Sequence, residues 1–209
     1  MSLRISILSL LLLVLSPGAF ASDPVDRQGV RTIAVLGDSL TAGYGLARED
    51  AFPAQLEAAL LDNGINARVI NSGISGDTSA GGLSRIDWVL ADNPDFIIIA
   101  LGANDALRGF EPDETRKNLA AILEKVLAED IKVLLAGLKA PRNFGSSYYT
   151  KFDRIYAELA EKYDVPLYPF FLEGVATVSD LNQDDGIHPN REGVKVMVQN
   201  ILPFVIKNL

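Results

Sequence analysis

Thr32-Ile33-Ala34-Val35-Leu36, followed at once by Gly37-Asp38-Ser39-Leu40-Thr41-Ala42-Gly43-Tyr44-Gly45, decides how this chain is read. The first five residues are largely apolar, rich in β-branched side chains and too few for a buried helix, so they predict a strand covered on both faces. The glycine and polar residues behind them end the strand in a tight turn. The same pattern recurs at Ala67–Asn71 (ARVIN), Phe96–Leu101 (FIIIAL), Lys132–Ala136 (KVLLA) and, more weakly, Pro166–Phe171 (PLYPFF).

Between these runs lie segments of helical period. One covers Phe52 to Asn63, with Pro53 in its first turn and Gly64 as its stop; a second covers Ser79 to Ala91. The third, about Asp113 to Glu129, puts Leu119, Ile122, Leu123, Val126 and Leu127 on one stripe, and two more follow at about Tyr149 to Lys162 and Arg191 to Lys207. Strands alternating with helices predict a three-layer αβα sandwich around a five-stranded parallel sheet, flavodoxin-like, with strand order 2-1-3-4-5. In such sheets ligands bind at the carboxyl ends of the strands, so chemistry is to be sought in the loops that follow them.

The chain has 209 residues, a formal net charge of −8 and no cysteine. Residues 1–21 have the pattern of a secretory signal peptide: Arg4, an apolar run from Ile5 to Leu15 too short to span a bilayer, the breakers Pro17 and Gly18, and small residues at Ala19 and Ala21. Cleavage is expected before Ser22, leaving residues 22–209 as one domain in the periplasm or secreted, without a stable membrane anchor. No cysteine follows Ala21 to carry lipid, and disulfides, thiolate nucleophiles and Cys-ligated metals are excluded. An acidic chain is poorly suited to nucleic acid or anionic lipid surfaces, so no nucleic-acid partner is expected. With one histidine and no cysteine, no metal and no cofactor are expected, and the chain is read as a monomer acting on a small molecule.

Four of the post-strand loops are unusual. Ser39 follows the first strand, where a serine can be offered as a nucleophile beside its own N–H or can cap a helix. The motif around it is not G-x-S-x-G, which argues against an α/β-hydrolase elbow. After the second strand, the small residues of Asn71–Gly82 (NSGISGDTSAGG), Gly73 among them, let backbone N–H groups approach a ligand, although a flexible loop looks the same. After the third, Asn104 can aim an amide donor at a developing oxyanion or can serve a turn. After the fifth comes DGIHPN, Asp185–Asn190, which holds the only histidine, His188. A serine nucleophile needs a base; imidazole suits, and a carboxylate three residues away, Asp185, can hold its tautomer, with Asp184 as the competing carboxylate.

Taken in order, Ser39 in GDSL, Gly73 in NSGISGDTSAGG, Asn104 in GAND, and Asp185 and His188 in DGIHPN resemble the four blocks of the SGNH (GDSL) hydrolases. The longer phrases LGDSLTAGYG, GISGDTSAGG and LGANDALRG are most similar to the periplasmic thioesterase, lysophospholipase and arylesterase subgroup. The resemblance runs from Thr32 to about Gly193. It implies a serine esterase acting on acyl esters or thioesters: arylesters, acyl thioesters and lysophospholipids. Ser39 would be the nucleophile, His188 the base and then acid, and Asp185 the orienting carboxylate. The N–H groups of Ser39 and Gly73 and the Asn104 amide would form the oxyanion hole. Ala140, in Leu138–Tyr149, departs from the bulkier residue expected in the subgroup.

The acyl cleft is expected between the third-strand loop and Leu138–Tyr149, walled by Leu107, Phe110, Phe144, Tyr148 and Tyr149. Two other readings compete. A deacetylase of extracellular glycans would use the same residues on short acyl groups. A non-catalytic flavodoxin-like binding protein could hold a phosphate at Gly76–Ser79, but it leaves Ser39, Asn104 and His188 without a purpose.

Overall fold

The structure is a computed structural model that describes residues 29–209. The expected leader and its cleavage before Ser22 lie outside the described residues. In chain order the elements are β1 (Arg31–Gly37), α1 (Ser39–Ala42), α2 (Phe52–Asp62), β2 (Ala67–Gly73), α3 (Ser79–Leu90), β3 (Phe96–Ala100), α4 (Ala103–Leu107), α5 (Pro112–Ala128), β4 (Lys132–Ala136), α6 (Ser146–Tyr163), β5 (Leu167–Tyr168) and α7 (Arg191–Asn208). The strands form one parallel sheet in the order β2-β1-β3-β4-β5, as the alternating pattern predicts. Helices α2 and α7 pack together over one face; α3, α5 and α6 cover the other, giving three layers.

Burial follows position in the sheet. Central β1 is buried from Thr32 to Gly37 and β3 throughout, which is why both read as unbroken apolar runs. β2 is an edge strand and largely half-exposed, so ARVIN tolerates Arg68 and Asn71. β5 is only two residues long, because Pro166 and Pro169 flank it and cannot donate to a ladder. The short helices α1 and α4, absent from the periodicity reading, are single turns too brief to carry a period.

Register positions the chemistry. Gly37, the last residue of β1, pairs with Gly73 on one side and Ala100 on the other, so three strands end level and their loops emerge at one rim. Arg85 of α3 locks this rim. It donates from Nε to Asp77 Oδ2 (2.7 Å), from Nη1 to the Ser72 carbonyl (2.8 Å) and from Nη2 to the Gly37 carbonyl (2.9 Å).

α3 reaches the sheet through Gly82, where a Cβ would sit 2.1 Å from Leu101 Cδ1, a side chain that is itself fully buried. In an exposed helix, Gly→Ala stabilises by about 1 kcal/mol. Here Gly82→Ala is expected to destabilise by about 1–3 kcal/mol, through overpacking against Leu101. Urea unfolding of the variant checks this, and a gain in stability would show that the α3–β3 contact has slack.

Candidate active site

Ser39 is the first residue of α1, with Asp38 as its N-cap: Asp38 Oδ1 accepts the Leu40 N–H at 3.0 Å. The capping role open to Ser39 therefore falls to Asp38, and the serine hydroxyl is left free. Its Oγ lies 2.9 Å from His188 Nε2, although 149 residues separate them. His188 Nδ1 lies 2.6 Å from Asp185 Oδ2. An ionised carboxylate can only accept, so Nδ1 carries the imidazole hydrogen and Nε2 is left to accept from the serine.

DGIHPN folds this way for local reasons. Asp185 Oδ1 accepts the N–H groups of Ile187 and His188, both at 3.0 Å, closing a turn in which Gly186 takes φ +72°. The Asn182–Pro189 bridge and the Gln183 N–H to His188 carbonyl bond (2.8 Å) pin the segment, and Asn190 caps α7 through the Gly193 N–H. The backbone N–H of His188, then its ring, then the Ile187 N–H lower the Asp185 carboxyl to about 2. Asp184, the competing carboxylate, is exposed and takes no part. The Tyr44 ring stands over the imidazole, centroids 4.5 Å apart.

The amide donors gather at the same rim. Among the described residues the Ser39 N–H has no acceptor, whereas the Gly73 N–H is taken by Asn71 Oδ1 at 3.0 Å. A Cβ on Gly73 would lie 2.4 Å from the Ala42 nitrogen and 2.9 Å from the Asp38 carbonyl, so only glycine lets β2 close against α1. Asn104 lies in α4, entered through Gly102 at φ +120°, and has ordinary helical backbone rather than a turn's positive φ. Its Nδ2 donates to the Asp77 carbonyl (2.9 Å) and to Asp38 Oδ2 (3.3 Å). The next residue, Asp105, is buried and anchors α4 by accepting from Ser79 N (2.8 Å), Ser79 Oγ (2.5 Å) and Thr115 Oγ1 (3.2 Å).

Asp38 is fully buried; desolvation pushes its carboxyl up to about 6, against the lowering effects of the Leu40 N–H and of His188. Sequence reasoning passed over Asp38, Arg85 and Tyr44. Asp38 alone left a signal, as a cap residue directly before a short helix.

A groove of about 410 Å³ opens beside Ser39 and His188, between the segment after β4 and the segment after β5. Its apolar walls include Leu107, Leu138, Ala140, Phe170, Leu172 and Ile187. Of the expected cleft residues only Leu107 belongs to it. The Phe144 and Tyr148 rings pack in a tilted pair with centroids 5.2 Å apart, Tyr148 donates to the Phe110 carbonyl (2.8 Å), and Tyr149 lies beneath Arg142. Tyr148 and Tyr149 belong to the first turn of α6, which begins at Ser146, whereas Leu138 and Ala140 before it line the groove. Among the described residues there is no cluster of three side chains able to hold a metal, and no helix is long and apolar enough to cross a membrane.

Residues 35–196 match the GDSL-like lipase/acylhydrolase family. The chain is 43% identical to esterase TesA of Pseudomonas aeruginosa over 178 residues, covering 85% of this chain and 89% of that protein. It is 43% identical to thioesterase 1/protease 1/lysophospholipase L1 of Escherichia coli K12 over 162 residues, covering 77% and 76% of the two chains. The crystal structure of AlinE4, an SGNH-hydrolase family esterase, superposes with a TM-score of 0.73 at 50% identity, covering 86% of this chain and 97% of that one. With the matched region running from β1 into α7 and two relatives this close over most of their length, the chain belongs to the GDSL-like lipase/acylhydrolase family.

Proposed function

We propose that this protein is an exported serine esterase that cleaves acyl esters and thioesters through a covalent acyl-enzyme. The observation that carries the reading is the unbroken line from Ser39 Oγ through the imidazole of His188 to Asp185. Neutral His188 takes the serine proton as Oγ attacks the acyl carbon, and ionised Asp185 steadies the resulting imidazolium. The carbonyl oxygen becomes an oxyanion held by the free Ser39 N–H, by the Gly73 N–H as it leaves Asn71 Oδ1, and by the Asn104 amide. His188 then gives its proton to the leaving alcohol or thiol. Water, activated by the same imidazole, frees Ser39. The leader-like first 21 residues support export to the periplasm, and a monomer with a complete site needs no partner subunit.

The groove supports the substrate class. Its walls extend the apolar surface well past what an acetyl group would cover, and its volume falls in the range of small-molecule sites. The relatives named esterase and thioesterase/lysophospholipase point the same way.

A fluorophosphonate should label Ser39; labelling is expected to vanish in Ser39→Ala and to fall sharply in His188→Ala, read by intact-protein mass spectrometry. Label retained by Ser39→Ala would place the nucleophile elsewhere.

Each methylene buried in the groove contributes about 0.8 kcal/mol, close to fourfold in kcat/KM, so p-nitrophenyl esters of roughly six to ten carbons are expected to outperform acetate. Ala140→Phe, which fills the groove, should cut octanoate turnover far more than acetate turnover. An acetate-favouring wild-type profile would instead favour a deacetylase with the same triad.

Burial of Asp38 has a pH signature. A carboxyl raised from 3.8 to about 6 keeps its proton to higher pH in the folded state than in the unfolded one, so it takes stability away as pH rises between those values. The effect amounts to about 3 kcal/mol. Between pH 4 and 7, wild type should therefore lose up to about 3 kcal/mol relative to Asp38→Ser in paired urea titrations. A difference that does not change with pH would mean that the carboxyl is not raised.

A further inference from the structure

Asp38 is a buried carboxylate that proton transfer between Ser39 and His188 does not use. Its two oxygens face different elements. Oδ1 caps α1 through the Leu40 N–H at 3.0 Å, and Oδ2 accepts from Asn104 Nδ2 at 3.3 Å. Asn104 Nδ2 also donates to the Asp77 carbonyl at 2.9 Å. A side-chain amide has two N–H hydrogens. Both hydrogens of this donor are therefore engaged before any substrate arrives, and unequally. The 2.9 Å bond fixes the amide from the segment after β2; the 3.3 Å bond is beyond the usual N–H···O range and is the one a stronger acceptor can displace.

We propose that Asp38 is a positioning residue of the oxyanion hole: Oδ2 holds the second Asn104 hydrogen in place in the resting enzyme and yields it to the oxyanion as that charge develops. The inference rests on the reading of Asn104 as an oxyanion donor. Its physical basis is preorganisation. A donor already oriented by fixed acceptors does not have to reorganise at the transition state. The same side chain, through Oδ1, orients the turn that carries Ser39, so one buried carboxylate aligns nucleophile and oxyanion donor together. The charged and titratable groups facing Asp38 are His188 across the site, Asp77, itself paired with Arg85, and Tyr156 from α6. A proton gained by His188 during attack offsets the Asp38 charge as the oxyanion forms.

Asp38→Ser separates the two duties. Serine still caps α1 but is too short to reach Asn104. With a p-nitrophenyl ester, Asn104→Ala should lower kcat by about 10²- to 10³-fold at little cost in KM. Asp38→Ser should lower kcat on the order of 10- to 100-fold, again with KM unchanged. The double variant should be no slower than Asn104→Ala, because both changes remove one interaction. A double variant slower by the product of the two factors would overturn the inference, as would wild-type kcat in Asp38→Ser beside a slow Asn104→Ala. An unchanged kcat in Asn104→Ala would instead remove the oxyanion reading on which the inference stands. Should Asp38→Ser fail to fold, the Asn104 side-chain amide resonances, assigned by their loss in Asn104→Ala, decide the matter. In a His188→Gln background they should follow the titration of the Asp38 carboxyl, which burial raises and His188 no longer lowers; amide shifts independent of pH would overturn the proposal.

Discussion

The level ending of three adjacent parallel strands is the constraint on which the rest of this site depends. Gly37 pairs with Gly73 and with Ala100, so β1, β2 and β3 deliver their loops to one rim. A slip of one residue in either pairing would carry Asn104 or Gly73 along by about 3.3 Å and turn the strand's side chains to the opposite face, out of hydrogen-bond reach. The register is protected twice. The glycine at Gly73, where a Cβ would clash with the Ala42 nitrogen, fits only this pairing, and Arg85 binds the ends of β1 and β2 through two carbonyls while held by Asp77.

Close approach is the second theme. The turn after β1 fits against β2 only because Gly73 has no side chain, and α3 meets the sheet at Gly82 for the same reason. These contacts leave the rim little freedom, which suits a site whose donors must stand ready before charge develops. Rigidity comes from backbone packing and from buried polar networks, with Asp105 gathering Ser79 and Thr115 beneath α4.

Three carboxylates belong to this rim, and the protein treats each differently. Asp185 is exposed, accepts two backbone N–H groups and is held low, so it stays anionic and orients the ring. Asp77 is neutralised by Arg85. Asp38 is buried and raised, which makes it the costly one, and it is also the one in contact with both the serine turn and Asn104. The same functional group thus serves as orienter, structural counter-ion and donor-aligning acceptor according to solvation and partner.

By itself the sequence determined the alternation of strands and helices and the loop segments that carry the rim residues, because those depend on apolar period and on loop composition, which are local. Ser39, Gly73, Asn104, Asp185 and His188 stood out in the sequence since each sits in a short post-strand segment and the chain has a single histidine. Only the tertiary structure decided which chain segments wall the groove. Leu107 was anticipated, but Phe110, Phe144, Tyr148 and Tyr149 are not among the groove's walls, which Leu138, Ala140, Phe170, Leu172 and Ile187 form with Leu107. It also decided the roles of Asp38 and Arg85, whose partners lie 66 and 48 residues away in sequence. Such contacts arise from the register of distant strands and the space between packed layers, and no local pattern in the chain encodes them.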